Sequence, residues 1–144
     1  MSGPTVVLDT NVFVAARRPV EKAHAACRTI LKAVEEARLT AIVPTVTLSE
    51  VYVGYVQTGT REAGDKLMEE MQSSPQWVVQ GLDLPLAKSA AVVRSETGLL
   101  LPDAIVAATG IAHVGASIVT ADTAFGRAKR LVPVVHPSSL ARTL

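Results

Sequence analysis

The chain has 144 residues, with 14 Lys or Arg against 13 Asp or Glu and a formal net charge of +1. Hydrophobic residues make up 49% of it, so it is apolar enough to fold around a core and is not a disordered protein. The balanced charge excludes a histone-like polycation, and no apolar run reaches the length of a membrane span. The single cysteine, Cys27, has no internal disulfide partner, and from the first residues we expect no secretory signal. We therefore expect a cytoplasmic protein without membrane association.

Short β-branched runs alternate with stretches of helical spacing along the chain. In chain order, the pattern predicts a strand over 5–8, helices over 12–16 and 21–38, a strand over 41–43, helices over 45–57 and 61–72, a strand over 77–79, helices over 83–96 and 103–114, and strands over 117–120 and 132–135. Thr45 and Asp83 are expected N-caps, and Gly98 is expected to end a helix. This order predicts an α/β fold, a single domain over 1–144 built as an α/β/α sandwich with a central, mostly parallel sheet.

A few acidic residues stand out because apolar sequence surrounds them beside the ends of predicted elements. They are Asp9 and Asp122, which follow strands, Asp103, which begins an apolar helix, and Glu50. The helical wheel puts Glu50 nearly opposite the apolar face of its helix, yet Gly54, one turn later, leaves room there for a backbone or a ligand.

Each of these residues also has an ordinary structural interpretation. The three aspartates can be helix N-caps or first-turn acids, and Glu50 can be a solvated surface residue. Asp83 is fully explained in this way, because Pro85 and a helix follow it.

The four acids taken together indicate a metal site. Ligands of open parallel sheets bind outside the carboxyl ends of the strands, which is where such acids would meet. Two carboxylates about 4 Å apart repel by roughly 4 kcal/mol at an effective dielectric constant of about 20, a penalty that a divalent cation removes. A donor set of oxygens alone favours Mg²⁺ or Mn²⁺ over Zn²⁺. We expect Thr10, Asn11 and Thr120 to hold the carboxylates in place.

Four segments in this order resemble the PIN-domain ribonucleases, and their size and spacing resemble the VapC-type toxins of toxin–antitoxin modules. The segments are Leu8-Asp9-Thr10-Asn11, Leu48-Ser49-Glu50-Val51, Leu101-Pro102-Asp103-Ala104-Ile105-Val106-Ala107-Ala108-Thr109 and Val119-Thr120-Ala121-Asp122. The resemblance spans roughly residues 5–136.

The resemblance implies a PIN-like fold and a metal-dependent endoribonuclease that leaves 5′-phosphate and 3′-hydroxyl products. Its acidic quartet would be Asp9, Glu50, Asp103 and Asp122, of which the three aspartates would ligate Mg²⁺ or Mn²⁺. Many members carry a further acid two residues after the last one, where this chain has Ala124, so a second metal is in question.

The resemblance also implies partners. These are RNA that is single-stranded or in a loop, a cognate antitoxin whose tail covers the acidic groove, and a second copy of the chain, for which Tyr52, Val53 and Val56 form a plausible contact stripe. Candidate contacts to RNA phosphates, which can equally be ordinary solvated charges, are Arg17, Arg18, Arg127, Lys129 and Arg130.

Two other functions are compatible with this sequence. One is a phosphotransfer or phosphatase-type α/β domain, which also places an Asp at a strand end. It needs a suitably placed lysine after a later strand, and none follows here. The other is a non-catalytic protein that uses the PIN fold only for interaction, which an intact acidic quartet argues against.

Overall fold

The computed structural model describes residues 3–144. The strands are β1 (Thr5–Leu8), β2 (Thr40–Pro44), β3 (Trp77–Gln80), β4 (Ser117–Val119) and β5 (Val134–Val135). The helices are α1 (Thr10–Arg17), α2 (His24–Glu35), α3 (Thr45–Gln57), α4 (Arg61–Ser73), α5 (Leu84–Thr97), α6 (Leu101–Ala112) and α7 (Pro137–Ala141), and a 3-10 helix spans Thr123–Ala128. No helix in residues 3–144 is long and apolar enough to cross a membrane.

The five strands form one sheet in the order β3-β2-β1-β4-β5, and every neighbouring pair is parallel. This confirms the predicted α/β/α architecture around a central parallel sheet. The first strand lies in the middle, so later strands add on both sides of it. The strand order therefore reverses beside β1, and a parallel sheet opens a crevice at the carboxyl ends of its strands at such a point.

Alternate residues of the central strands face two separate cores. Val6 and Leu8 belong to the core that α1, α2, α3 and α4 complete, whereas Val7 belongs to the core that α5 and α6 complete. β2 and β4 alternate in the same way, because Ile42 and Ile118 pack with Val7. Helices thus cover both faces of the sheet and leave its carboxyl edge open.

The ends of the elements show which local predictions hold. Asp83 caps α5 by accepting a hydrogen bond from the Leu86 N–H at 2.9 Å, and Gly98 ends this helix with a φ of 73°. The prediction that Thr45 caps α3 is wrong, because Pro44 occupies the cap position and no side chain caps the helix. Proline has no side-chain acceptor, so the first N–H groups of α3 receive no hydrogen bond from the cap residue. The 3-10 helix and α7 were not predicted.

Candidate active site

The predicted acids come together in a pocket of about 280 Å³ beside the carboxyl ends of β1 and β4. Its lining residues are Asp9, Thr10, Asn11, Val14, Glu50, Asp103 and Asp122. They come from four separate parts of the chain, which are the β1–α1 junction, α3, the first turn of α6 and the turn after β4. The sequence did not single out Val14, although its position one turn after Thr10 places both on one face of α1.

Asp9 is the most deeply placed of the acids and is only 6% exposed. It is the N-cap of α1, and its Oδ1 accepts a hydrogen bond from the Thr10 N–H at 2.9 Å. Its Oδ2 accepts from the Asn11 amide at 3.0 Å and from the Thr120 hydroxyl at 2.8 Å. Burial raises the pKa of Asp9, the hydrogen bonds oppose this, and the nearby Glu50 and Asp122 raise it further. Asp9 is therefore a helix cap that also lines the acidic pocket.

The Thr120 hydroxyl connects the ends of β1 and β4. It donates to Asp9 Oδ2 and accepts hydrogen bonds from the Asn11 amide at 2.9 Å and the Asp122 N–H at 3.0 Å. The Asn11 Oδ1 in turn accepts from the Ala121 N–H at 3.0 Å. A hydroxyl offers one proton and two lone pairs, so these contacts use its full capacity.

The other acids surround Asp9 on more exposed positions. Glu50 is exposed, and its Oε1 accepts a hydrogen bond from the Thr10 hydroxyl at 3.0 Å, which ties α3 to the start of α1. Asp122 caps the 3-10 helix through a bond from the Ala124 N–H at 2.9 Å. Asp103 lies in the first turn of α6, and partial burial followed by repulsion from its three acidic neighbours raises its pKa to about 6.

The charge and donor set of this pocket fit a hard divalent cation. None of its lining residues is cationic, so the carboxylates lack a compensating charge, and all of its polar donors to a metal are oxygens. Within residues 3–144, no three Asp, Glu, His or Cys side chains are arranged to hold an ion as they stand. To hold one ion together, the carboxylates of the pocket would have to lie closer to one another than they do here.

Arg17, a candidate phosphate contact, packs against α3 instead of entering the pocket. Its guanidinium lies 3.6 Å from the centre of the Tyr55 ring and donates to the Thr58 hydroxyl at 3.5 Å. A Cβ added to Gly54 would lie 3.3 Å from the Arg17 Nη1. The missing side chain of Gly54 therefore makes room for Arg17, where the sequence suggested a backbone or a ligand.

The remaining candidate cations also lie outside the lining of the acidic pocket. Arg18 forms an exposed ion pair with Glu21 at 3.6 Å. Arg127 donates to a backbone carbonyl in the α5–α6 loop at 3.4 Å. Lys129 and Arg130 follow the 3-10 helix on the surface.

Several solved structures share this fold. A crystal structure of FitAcB from Neisseria gonorrhoeae is 24% identical, with 92% of this chain and 98% of that chain covered and a TM-score of 0.69. A toxin–antitoxin complex from Klebsiella pneumoniae shares 21% sequence identity with this chain. The match covers 92% of this chain and 97% of that chain, with a TM-score of 0.68. VapBC2 from Rickettsia felis, bound to a DNA fragment from its promoter, shares 17% sequence identity with this chain. The match covers 92% of this chain and 98% of that chain, with a TM-score of 0.64.

The sequence itself also carries a family signature. No curated protein sequence matches the chain. The family model of the PIN domain, however, matches residues 6–131, which run from β1 through the 3-10 helix and include every residue that lines the acidic pocket. The chain therefore belongs to the PIN domain family.

Proposed function

We propose that this protein is a metal-dependent endoribonuclease and the toxin of a type II toxin–antitoxin pair. The observation that carries the proposal is the convergence of four acids, distant in sequence, on one pocket without a cationic side chain. PIN domains are generally nucleases, which supports a hydrolase that acts on phosphodiester bonds. The similar structure from Klebsiella pneumoniae is a toxin–antitoxin complex, which supports the toxin role and a cognate antitoxin as partner.

Asp9, Asp103 and Asp122 are the residues that would hold Mg²⁺ or Mn²⁺. When bound, such an ion lowers the pKa of a water molecule and polarises a phosphoryl oxygen. Asp9 is fixed by Thr10, Asn11 and Thr120 and gives the site a rigid side, whereas Asp103 and Asp122 lie on its more open side. With Ala124 in place of a further acid, we propose one ion.

The reaction is in-line hydrolysis of an RNA strand. Water attacks the phosphorus, the bond from phosphorus to the 3′-oxygen breaks, and the products carry a 5′-phosphate and a 3′-hydroxyl. Glu50 or Asp103 orients the water and accepts its proton. Glu50 is held for this by the Thr10 hydroxyl. The RNA is single-stranded or a loop, because a recessed pocket does not reach a phosphate inside a stacked duplex.

The proposal extends to the assembly of the protein. We propose that residues 1–144 form a single domain that works as a homodimer in the cytoplasm, where its RNA substrate is found. An apolar cavity of about 670 Å³ along α3 supports the dimer, because Tyr52, Val53 and Val56 line it. Val53 is 50% exposed and Val56 39% exposed in the single chain, and a second copy would cover them.

Incubation of the purified protein with total RNA tests the proposed activity. We expect defined fragments with 5′-phosphate ends in the presence of Mn²⁺ or Mg²⁺ and intact RNA in the presence of a chelator. Treatment with phosphatase shows whether the new 5′ ends carry a phosphate. Fragments that form equally with chelator would contradict the role of the metal, and intact RNA with either ion would contradict the nuclease assignment.

Thermal unfolding tests the metal site without an activity assay. In chelator at neutral pH, we expect Asp103→Asn to be more stable than the original chain by about 1 kcal/mol, or roughly 3 °C, because the change removes a negative charge from an acidic cluster that solvent partly screens. Added Mg²⁺ should raise the melting temperature of the original chain and leave that of the variant almost unchanged. An equal response of both proteins to Mg²⁺ would argue against Asp103 as a ligand.

A further inference from the structure

A second pocket with the opposite charge lies between α1 and α2. It has a volume of about 510 Å³, and we call it the α1–α2 groove. The charged residues that line it are Arg17 from α1 and Arg28, Lys32 and Glu35 from α2, so three cations face one acid. The chain as a whole carries a net charge of only +1, so this groove concentrates positive charge locally.

The α1–α2 groove and the acidic pocket are both lined in part by α1. Thr10 and Val14 line the acidic pocket, and Arg17 lines the groove. At 3.6 residues per turn, positions seven and three residues apart fall on the same side of a helix. With a rise of about 1.5 Å per residue, Arg17 lies about 10 Å beyond Thr10. An RNA strand that leaves the acidic pocket along α1 would therefore reach the groove within a few nucleotides.

The cations of the α1–α2 groove are available for a ligand. Arg28 and Lys32 are exposed, stand one turn apart on α2 and form no ion pair within residues 3–144. Arg17 is oriented by stacking on Tyr55. Stacking occupies the face of the guanidinium and one N–H group donates to the Thr58 hydroxyl at 3.5 Å, which leaves the other edge N–H groups to donate to an anion.

We propose that the α1–α2 groove binds the phosphate backbone of the RNA strand beside the cleavage point, through Arg17, Arg28 and Lys32. This rests on the nuclease activity proposed above. The acidic pocket repels the phosphates next to the one that is cut, so the affinity for the strand has to come from cations nearby. Lys32 is a point charge and Arg28 a planar donor, and both suit backbone phosphates, whose contacts carry no base information. The groove thereby adds affinity without sequence preference.

Fluorescence anisotropy with a short labelled oligouridine tests the proposal. The variant Arg28→Ala with Lys32→Ala is made in an Asp9→Asn background, so that cleavage does not obscure binding, and is measured with Mg²⁺ over a range of salt concentrations. Each phosphate contact to a single strand contributes about 0.7 to the slope of log affinity against log salt, so the slope should fall by about 1.4 and the affinity by on the order of tenfold. The control, Lys66→Ala with Lys88→Ala, removes two exposed cations elsewhere and should change neither quantity.

The outcomes separate this proposal from the one on which it rests. If the double variant shows an unchanged affinity and salt slope while the original chain still cuts RNA, the proposed role of the groove is wrong and the nuclease assignment stands. If the double variant keeps its affinity for oligouridine and loses binding of a polyglutamate peptide, the groove belongs to an acidic polypeptide and the proposal is wrong. If the original chain does not cut RNA at all, the proposed function fails and the groove loses its assigned ligand.

Discussion

Asp9→Asn and Asp103→Asn are each expected to lower the rate of RNA cleavage by about a thousandfold while the protein stays folded. Each change removes one negative charge from the pocket and keeps the size of the side chain. Asn at position 9 still caps α1, because its carbonyl oxygen accepts from the Thr10 N–H as the Asp9 Oδ1 does. Cleavage rates in Mg²⁺ and in Mn²⁺, with circular dichroism to verify folding, measure the effect.

Asp83→Asn is the matched control for this pair. Asp83 also caps a helix and also has apolar sequence neighbours, but it lies outside the acidic pocket. Asn caps helices about as well as Asp, so we expect unchanged stability and unchanged cleavage. Full activity of either Asp9→Asn or Asp103→Asn would refute the assignment of these carboxylates.

Thr120→Val is expected to lower the free energy of unfolding by about 2–4 kcal/mol and the rate of RNA cleavage by about 10- to 100-fold. Valine has nearly the same shape as threonine but lacks the hydroxyl. The buried Asp9 Oδ2 then loses a donor, and the Asn11 amide and the Asp122 N–H lose an acceptor. Urea unfolding and the cleavage assay measure the two effects.

Thr120→Ser keeps the hydroxyl and removes only a methyl group. We expect this variant to retain most of the activity and to lose much less stability than Thr120→Val. Equal losses in both variants would show that the methyl group, and not the hydrogen bonds to Asp9, Asn11 and Asp122, accounts for the effect.

The parallel sheet with helices on both faces could be predicted because its strands and helices each show a local sequence pattern. Buried parallel strands are short β-branched runs, and the helices between them show amphipathic spacing or, as in α6, an almost continuous apolar run. Strands alternating with helices allow few topologies other than a parallel sheet. The same rule places Asp9 and Asp122 at one edge, because Asp9 follows β1 directly and Asp122 lies three residues after the end of β4. The sequence alone was therefore enough to predict that these acids lie near one another.

Contacts between side chains that are distant in sequence could not be predicted from such local patterns. Nothing local to Gly54 indicates that Arg17 fills the space beside it, because that contact depends on how α1 crosses α3. The helical wheel of α3 correctly placed Glu50 on the side opposite the apolar face. Only the packing of α1 against α3 shows that this exposed side borders the pocket. The α1–α2 groove was missed for the same reason, since its cations come from two helices.

The central position of β1 has a consequence for synthesis on the ribosome. β1 precedes β2 and β4 in the sequence and pairs with both, and the pocket needs Asp9 and Asp122, which are 113 residues apart. Domains form during translation only as their parts emerge, so a nascent chain that has not reached residue 122 lacks the complete pocket. Under the proposed function, a nascent chain therefore cannot cleave the messenger RNA that encodes it before residue 122 has emerged.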